Sequence, residues 1–256
     1  MTVYGDCMLQ TTCKVAGNPE HCNQLCYGWR YFHGADGTKG IWGAAEIPKL
    51  YGRIRVDEIP FKKENSKAFA IVKRYCSDTV KFAGEGRGLY LYSVPNPQNP
   101  KGTGTGKTTA AVVILNEFLV ARVAEHIRNV RRVDDIPGLF VNISKYQNLY
   151  NSQFRGAKNQ QEEASRKFYE KKEYLISVEL LVLDDMGVRD ATEAFMNEVY
   201  EVIDERASEQ RATIFTSNVP MEVIAASLDD RIASRIEGMT VLVPFEGRDH
   251  RRRESL

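Results

Sequence analysis

The segment Gly102-Thr-Gly-Thr-Gly-Lys-Thr-Thr109 sets a lysine and two threonines directly behind alternating glycines. Glycines let backbone N–H groups converge on phosphate oxygens, and a helix starting there adds the positive end of its dipole. In such a loop Lys107 reaches the β- and γ-phosphates of a nucleoside triphosphate and Thr108 holds Mg2+ through its hydroxyl. Gly104, Thr105, Gly106 and Thr109 complete the cradle. The alternative is a flexible glycine loop that binds nothing. The flanks argue against it: strand-like Gly88-Leu-Tyr-Leu-Tyr-Ser93 precedes the loop. Helix-like Thr109 to Val123 follows it, with Ala111, Val112, Ile114, Leu115, Phe118 and Leu119 apolar. Strand, glycine loop and helix together make a P-loop context. One departure stands out. The pattern G-x-x-x-x-G-K-[ST] asks for glycine where Lys101 stands, after a proline-stiffened stretch, Val94-Pro-Asn-Pro-Gln-Asn-Pro100. Either the entry to the loop is remodelled or Gly102 takes over the missing turn.

A second set of chemical groups lies about 80 residues on. Leu180-Leu-Val-Leu-Asp184-Asp185 is an apolar run ending in two acids, as expected of a strand buried on both faces of a parallel sheet. Ligands bind at the carboxyl ends of such strands. Asp184 would hold Mg2+ together with Thr108, and Asp185 would orient or deprotonate an attacking water. Aspartate is a methylene shorter than the glutamate usual at the second position, which predicts slow turnover. Read without the P-loop, the two acids are a turn and a helix cap ahead of Met186-Gly187. Ala212-Thr-Ile-Phe-Thr-Ser-Asn218 is another strand with small polar groups at its end. The Asn218 amide can hydrogen-bond both a γ-phosphate and a lytic water. Arg231 and Arg235 are four residues apart and share a helix face. They are either a solvated pair or a finger that reaches a neighbouring subunit's γ-phosphate.

A third set is metal-like. Cys7, Cys13, Cys22 and Cys26 hold four of the five cysteines, spaced C-x5-C-x8-C-x3-C, with His21 and His33 nearby. In a reducing compartment, four clustered thiols suit tetrahedral Zn2+, with His21 or His33 as substitutes for one thiol. A short segment buries little apolar surface, so a metal would supply what a core cannot. A disulfide pair or free thiols are the alternatives. Cys76, alone, reads as a small hydrophobe on a helix. These groups need a parallel central sheet flanked by helices, with a further strand at Phe140 to Ile143, behind a small N-terminal module. The division expected is 1–44 for a zinc-binding, cysteine-rich module and 45–256 for the nucleotide-binding domain.

At 256 residues, 43% hydrophobic and 27% charged, the chain holds one core of ordinary size and a small appendage. A net charge of +1 gives no global basic field, so contact with nucleic acid would be local. No apolar run approaches the ~20 residues that span a bilayer. The opening residues lack the basic and apolar regions of a secretory signal, so a cytoplasmic protein with no membrane partner is expected.

The P-loop, the paired aspartates, Thr216-Ser-Asn218 and Arg231-x3-Arg235, in this order, resemble the AAA+ ATPases. The resemblance is to the DnaC/DnaI helicase-loader branch, which includes IstB-type transposition ATPases. It rests also on Ile47-Pro-Lys-Leu-Tyr51, Leu89 to Tyr92, Tyr200-Glu-Val-Ile-Asp-Glu-Arg206, Thr213 to Pro220 and Phe245-Glu-Gly-Arg-Asp-His-Arg251, and runs from about residue 45 onward. The stretch Leu228 to Arg235 also resembles a helix of DnaA initiators, which implies that Arg235 is the finger. The cysteine-rich segment resembles the zinc-binding, helicase-contacting domain of DnaI-type loaders. What this implies is an AAA+ core that binds ATP and Mg2+ and self-associates through Arg235. It also implies docking on a replicative DNA helicase, which is then helped onto single-stranded DNA. An IstB-like transposition ATPase and a nucleotide-binding adaptor with vestigial hydrolysis are the other functions implied. There is no room for a helical lid, so a second nucleotide sensor rests only on Arg251. Candidate DNA contacts interleave basic and aromatic types at Lys145-Tyr146, Tyr150, Phe154-Arg155, Lys158 and Arg166-Lys-Phe-Tyr169. The alternative is that the aromatics are core and the lysines a solvated face. Arg128-Asn-Val-Arg-Arg132 is open to the same two readings, and Arg251-Arg-Arg253 reads as a disordered end.

Overall fold

The computed structural model describes residues 2–187, 191–227 and 230–249. Helices α1 (Tyr27–His33) and α2 (Gly40–Ala44) follow a series of turns, and α3 (Ser66–Ser77) and α4 (Thr79–Gly84) lead into the sheet. Then come β1 (Gly88–Ser93), α5 (Lys107–Ile127), β2 (Gly138–Asn142), α6 (Ile143–Ser152), α7 (Lys158–Ser177) and β3 (Leu180–Met186). The order closes with α8 (Glu193–Ser208), β4 (Ala212–Ser217), α9 (Met221–Ser227), α10 (Asp230–Met239) and β5 (Thr240–Phe245). The five strands form one sheet in the order β2-β3-β4-β1-β5, and each pairing is parallel.

Successive side chains of a strand point to opposite faces, and the core divides accordingly. Leu89, Leu91, Leu180, Val182 and Ile214 face a cluster shared with α3 and α5. Tyr90, Leu139, Leu181, Leu183 and Phe215 face a second cluster built from α6 to α10. Helix α5 is buried almost all round, as a helix between a sheet and a further layer must be. That further layer is the N-terminal segment. Val3, Cys7, Met8, Leu9, Cys22, Trp29 and Phe32 belong to the α5 cluster. Polar ties reinforce it: Trp42 Nε1 donates to Asn116 Oδ1 at 3.2 Å, and Tyr31 Oη to the Val133 carbonyl at 2.8 Å.

Strand β5 carries no alternation of apolar and polar residues, and Pro244 sits within it. It lies at the sheet edge beside β1, where the proline's missing N–H breaks no ladder. A buried guanidinium pins the opposite side of the sheet. Arg206 donates to the carbonyls of Leu175, Ile176, Val178 and Ala212 and to Thr213 Oγ1, joining α7, α8 and β4. No described helix is long and apolar enough to cross a membrane.

Candidate nucleotide site

The glycine loop leaves the carboxyl end of β1 at Ser93 and enters α5 at Lys107. Between them the proline-rich stretch is a tied loop. Asn96 and Asn99 form an isolated bridge, and Asn99 Nδ2 donates to the Thr103 carbonyl at 2.7 Å. Gly102 has φ 59°, and a Cβ there would lie 2.6 Å from Ser93 Cβ. Only glycine meets both demands, so Gly102 makes the turn and Lys101 is left exposed outside it. Gly104 and Gly106 are also left-handed, at φ 68° and 102°. Phe61 closes against Gly106, where a Cβ would come within 2.4 Å of Phe61 Cδ1. Beside the loop opens a cleft of about 290 Å3, lined by Leu50, Tyr51, Ile54 and Phe61 on one side and by residues 104–109 on the other.

Lys107 is buried, and its ammonium is satisfied from several elements. Nζ donates to Ser93 Oγ, to the Gly102 carbonyl at 3.3 Å and to Asn218 Oδ1 at 3.0 Å. Asn218 passes the link on: its Nδ2 donates to Asp185 Oδ1 at 3.0 Å. Glycine loop, the end of β4 and the end of β3 are thus joined by one hydrogen-bonded chain.

The two aspartates sit at an irregularity of β3. Leu183 pairs with Phe215 and Met186 with Ser217, so Asp184 and Asp185 together oppose Thr216 alone. This is a β-bulge, a device that re-aims side chains beside active sites. Thr216 Oγ1 fastens it by donating to Asp184 Oδ1 at 2.8 Å and accepting the Asp185 N–H at 2.9 Å. Asp185 has φ 64°, a left-handed conformation rare outside glycine. The bulge sends Asp184 inward, 6% exposed, and Asp185 outward. Asn142 Nδ2 holds the second Asp184 oxygen at 3.1 Å. No cationic side chain pairs with Asp184 among the described residues. The Asp184 carboxylate, buried and oriented, and the Thr108 hydroxyl are each oxygen donors of the kind Mg2+ takes.

Residues 228 and 229 fall outside the described residues, but the arginines after them are placed. Arg235 Nε contacts Asp204 Oδ1 at 2.6 Å, and the Arg231 guanidinium lies 4.9 Å from the Tyr200 ring centroid. Both face α8 and line a surface depression of about 540 Å3 that shares no lining residue with the glycine-loop cleft. Lys107, Asp184, Asp185 and Asn218 are therefore brought together, and Arg231 and Arg235 are not among them. Arg251 lies outside the described residues.

The structure does not show the zinc set expected from spacing. Among the described residues no group of three or more His, Cys, Asp or Glu side chains converges as metal ligands. Cys7 and Cys22 are buried among apolar side chains, where a thiol packs as a small hydrophobe. Burial pushes the Cys7 thiol up, and charge repulsion from Cys26, Cys22 and Cys13 adds to it. His21 is exposed, and His33 is used otherwise: its Nε2 accepts the Met8 N–H at 3.1 Å. Burial, and then the Arg53 charge, hold the His33 ring at about 3, neutral at physiological pH. Cys76 is part of the apolar packing on α3, as expected, and burial raises its thiol too.

The proposed DNA-contacting side chains divide. Tyr146 and Phe168 are core, and Tyr150 packs on Phe154, Phe168 and Phe195. Phe154 and Tyr169 are exposed, at 65% and 53%. On α7, Lys158, Arg166 and Lys167 each pair with a glutamate four residues away. In the other basic run Arg128 donates to the Thr12 carbonyl and Arg131 pairs with Glu179. Sequence reasoning did not single out Ser93 and Asn142. Each is a small polar residue at the carboxyl end of a buried strand, and that position was their available signal.

A parallel sheet with a glycine loop after β1, paired acids after β3 and an asparagine after β4 is the arrangement of an AAA+ P-loop core. The model of the IstB-like ATP binding protein family matches residues 101–253, and the chain belongs to that family. The fold is shared with solved structures at low identity. The DnaC helicase loader superposes with a TM-score of 0.54 at 20% identity, over 77% of this chain and 99% of that one. DnaI gives 0.55 at 23%, over 78% and 95%. The replication initiator DnaA bound to AMPPCP and single-stranded DNA gives 0.54 at 17%, over 76% and 50%. No curated protein sequence matches the chain.

Proposed function

We propose that this chain is an ATP-dependent loader of a hexameric replicative helicase, which docks on the helicase and helps place it on single-stranded DNA during replication initiation. The observation that carries the nucleotide part is the hydrogen-bonded chain from Lys107 through Asn218 to Asp185. A triphosphate entering the glycine loop competes with Asn218 for the Lys107 ammonium. The Asn218 amide is then free to turn, and through it Asp185 registers whether the γ-position is filled. Asp185 would orient the attacking water, and Asn218 would hold it against the γ-phosphate. Asp184 and Thr108 would hold Mg2+, which when bound neutralises phosphate charge. With aspartate in the water-orienting position, hydrolysis is slow and suits a switch better than a motor.

The loader reading draws on the shared fold of DnaC and DnaI and on exposed apolar side chains near the start of the chain. Leu25 and Tyr27, 80% and 60% exposed, offer a contact surface within the docking segment 1–44, beside the ATPase part 45–256. Phe154 and Tyr169, with Arg155 and Lys158 exposed near them, offer stacking and phosphate contacts to a single strand. Arg235, and with it Arg231, would reach the nucleotide of an adjacent copy. A second reading, a transposition ATPase, is favoured by the IstB-like family model.

Co-purification from the native host separates these readings. A replicative helicase is expected with the wild-type chain, and Lys107→Ala should abolish helicase loading onto single-stranded DNA. Recovery of a transposase in its place would transfer the proposal to the second reading. Loading unchanged in Lys107→Ala would reduce the chain to an adaptor with vestigial hydrolysis.

A further inference from the structure

The chain beyond β5 does not leave the nucleotide site. The Glu246 N–H donates to Asn65 Oδ1, and its carbonyl accepts from Asn65 Nδ2, both at 2.7 Å. The Gly247 carbonyl accepts from Asn99 Nδ2 at 3.1 Å and from Asn96 Nδ2 at 3.4 Å. Arg248 Nε lies 3.3 Å from Glu64 Oε1. Asp249 Oδ2 accepts from Thr103 Oγ1 at 3.1 Å, and its other oxygen presses on Gly104, where a Cβ would come within 1.7 Å of it. Residues 246–249 therefore form a strap fastened to the start of α3 and to the loop entry. It ends in a carboxylate laid on the glycine loop.

That loop is built to attract anions. Gly102, Gly104 and Gly106 are all left-handed, and turned backbone of this kind presents N–H groups to negative charge. A fixed carboxylate on the same loop opposes an arriving triphosphate, and its hydrogen bond from Thr103 also braces the loop in its present shape. We propose that the strap is a displaceable latch: Asp249 serves as an internal anion on the glycine loop and is driven off it when ATP binds. This rests on the reading of the loop as the ATP site. Its consequence is a coupling device. Expulsion of Asp249 loosens Asn65 and Asn99, so nucleotide binding is relayed to α3 and to the proline-rich entry.

The test is calorimetric titration of the full chain with Mg-ATP. Asp249→Asn keeps the shape and can still accept from Thr103, but removes the charge. It is expected to bind ATP about tenfold more tightly than wild type at low salt, a difference of ~1.4 kcal/mol. The gap should shrink as salt is raised, because screening weakens a purely electrostatic opposition. Asn65→Ala, which unfastens the strap and leaves the charge, should also bind more tightly. Equal or weaker binding by Asp249→Asn overturns the proposal, and Asn65→Ala binding as wild type does would remove the latch from it. Absence of ATP binding in wild type and Asp249→Asn alike, with both folded by thermal unfolding, would overturn the ATP-site reading itself. That outcome is distinct from equal, measurable affinities.

Discussion

Thr216→Val tests the chemistry of the β3 bulge with the smallest change available, since valine keeps the shape and loses the hydroxyl. Two hydrogen bonds disappear. One is donated to the buried Asp184 carboxylate at 2.8 Å, and the other is accepted from the Asp185 N–H at 2.9 Å. A hydrogen bond to a charged group contributes ~1.5–3 kcal/mol and a neutral one ~0.5–1.5, so the expected loss of stability is about 2–4 kcal/mol. In a chain of this size 1 kcal/mol moves the melting midpoint by ~2–4 °C, which places the variant roughly 5–15 °C below wild type. The functional effect should be larger than the stability effect implies. Asp185 is held at φ 64°, and conformations of that kind cost ~1–3 kcal/mol and persist only when their surroundings enforce them. Without Thr216 the residue relaxes, its carboxylate leaves Asn218, and kcat should fall at least ~10²-fold, the low end of what a positioned acid–base group supplies. Mg-ATP affinity should stay within about threefold, because the Thr216 hydroxyl bonds to Asp184 and Asp185 and not to the glycine loop. The assay is steady-state ATP hydrolysis alongside nucleotide titration and thermal unfolding. A variant that unfolds with wild type and hydrolyses ATP at the wild-type rate would refute the assignment of the bulge as the device that aims Asp185.

Arg235→Ala breaks the ion pair to Asp204 at the surface and should lower ATPase activity at least tenfold while Mg-ATP affinity stays near wild type; a collapse of affinity would mean that Arg235 acts within its own chain. For His33, the unfolded chain takes up a proton near 6.5 and the folded one only near 3. Between those values the unfolded state binds more protons, so this group's stability contribution is lost as pH falls, by up to about 1.4 kcal/mol per pH unit. His33→Gln should flatten that slope in denaturant titrations between pH 6 and 4, and an unchanged slope would contradict a buried neutral imidazole. Metal analysis tests the cysteine cluster: stoichiometric zinc in the purified protein, with a melting temperature lowered by EDTA, would assign Cys7, Cys13, Cys22 and Cys26 as ligands, and zinc-free protein would leave Cys7 and Cys22 as apolar packing.

How far the sequence reaches depends on whether a feature is local. Strands β1, β3 and β4 were legible because each is a short apolar run with chemistry at its end, and β3 and β4 are covered on both faces. Gly102 as the loop's turn residue was one of two readings that the residues allowed. Its φ of 59° and the nearness of Ser93 decide it. Strand β5 was not legible, because its exposed edge carries no alternation and Pro244 argues against a strand that only an edge position permits. The placement of the cysteines is not local either. Clustering in sequence reads as a ligand set, yet Cys7 and Cys22 are drawn into the α5 core, which no local pattern in the first 26 residues reveals.

The same reasoning explains why the site's working parts lie between motifs rather than within them. Lys107, Asp185 and Asn218 each announce themselves by type and position. What connects them is pairing between β3 and β4, which lie more than 25 residues apart in the chain. The bulge exists only because two residues of β3 face one residue of β4. Its left-handed aspartate is enforced by a threonine hydroxyl from the partner strand. Loss of the Thr216 hydroxyl from β4 would therefore re-aim the Asp185 carboxylate with β3 itself unaltered. The sheet register, as well as the identity of residue 185, sets where that carboxylate points.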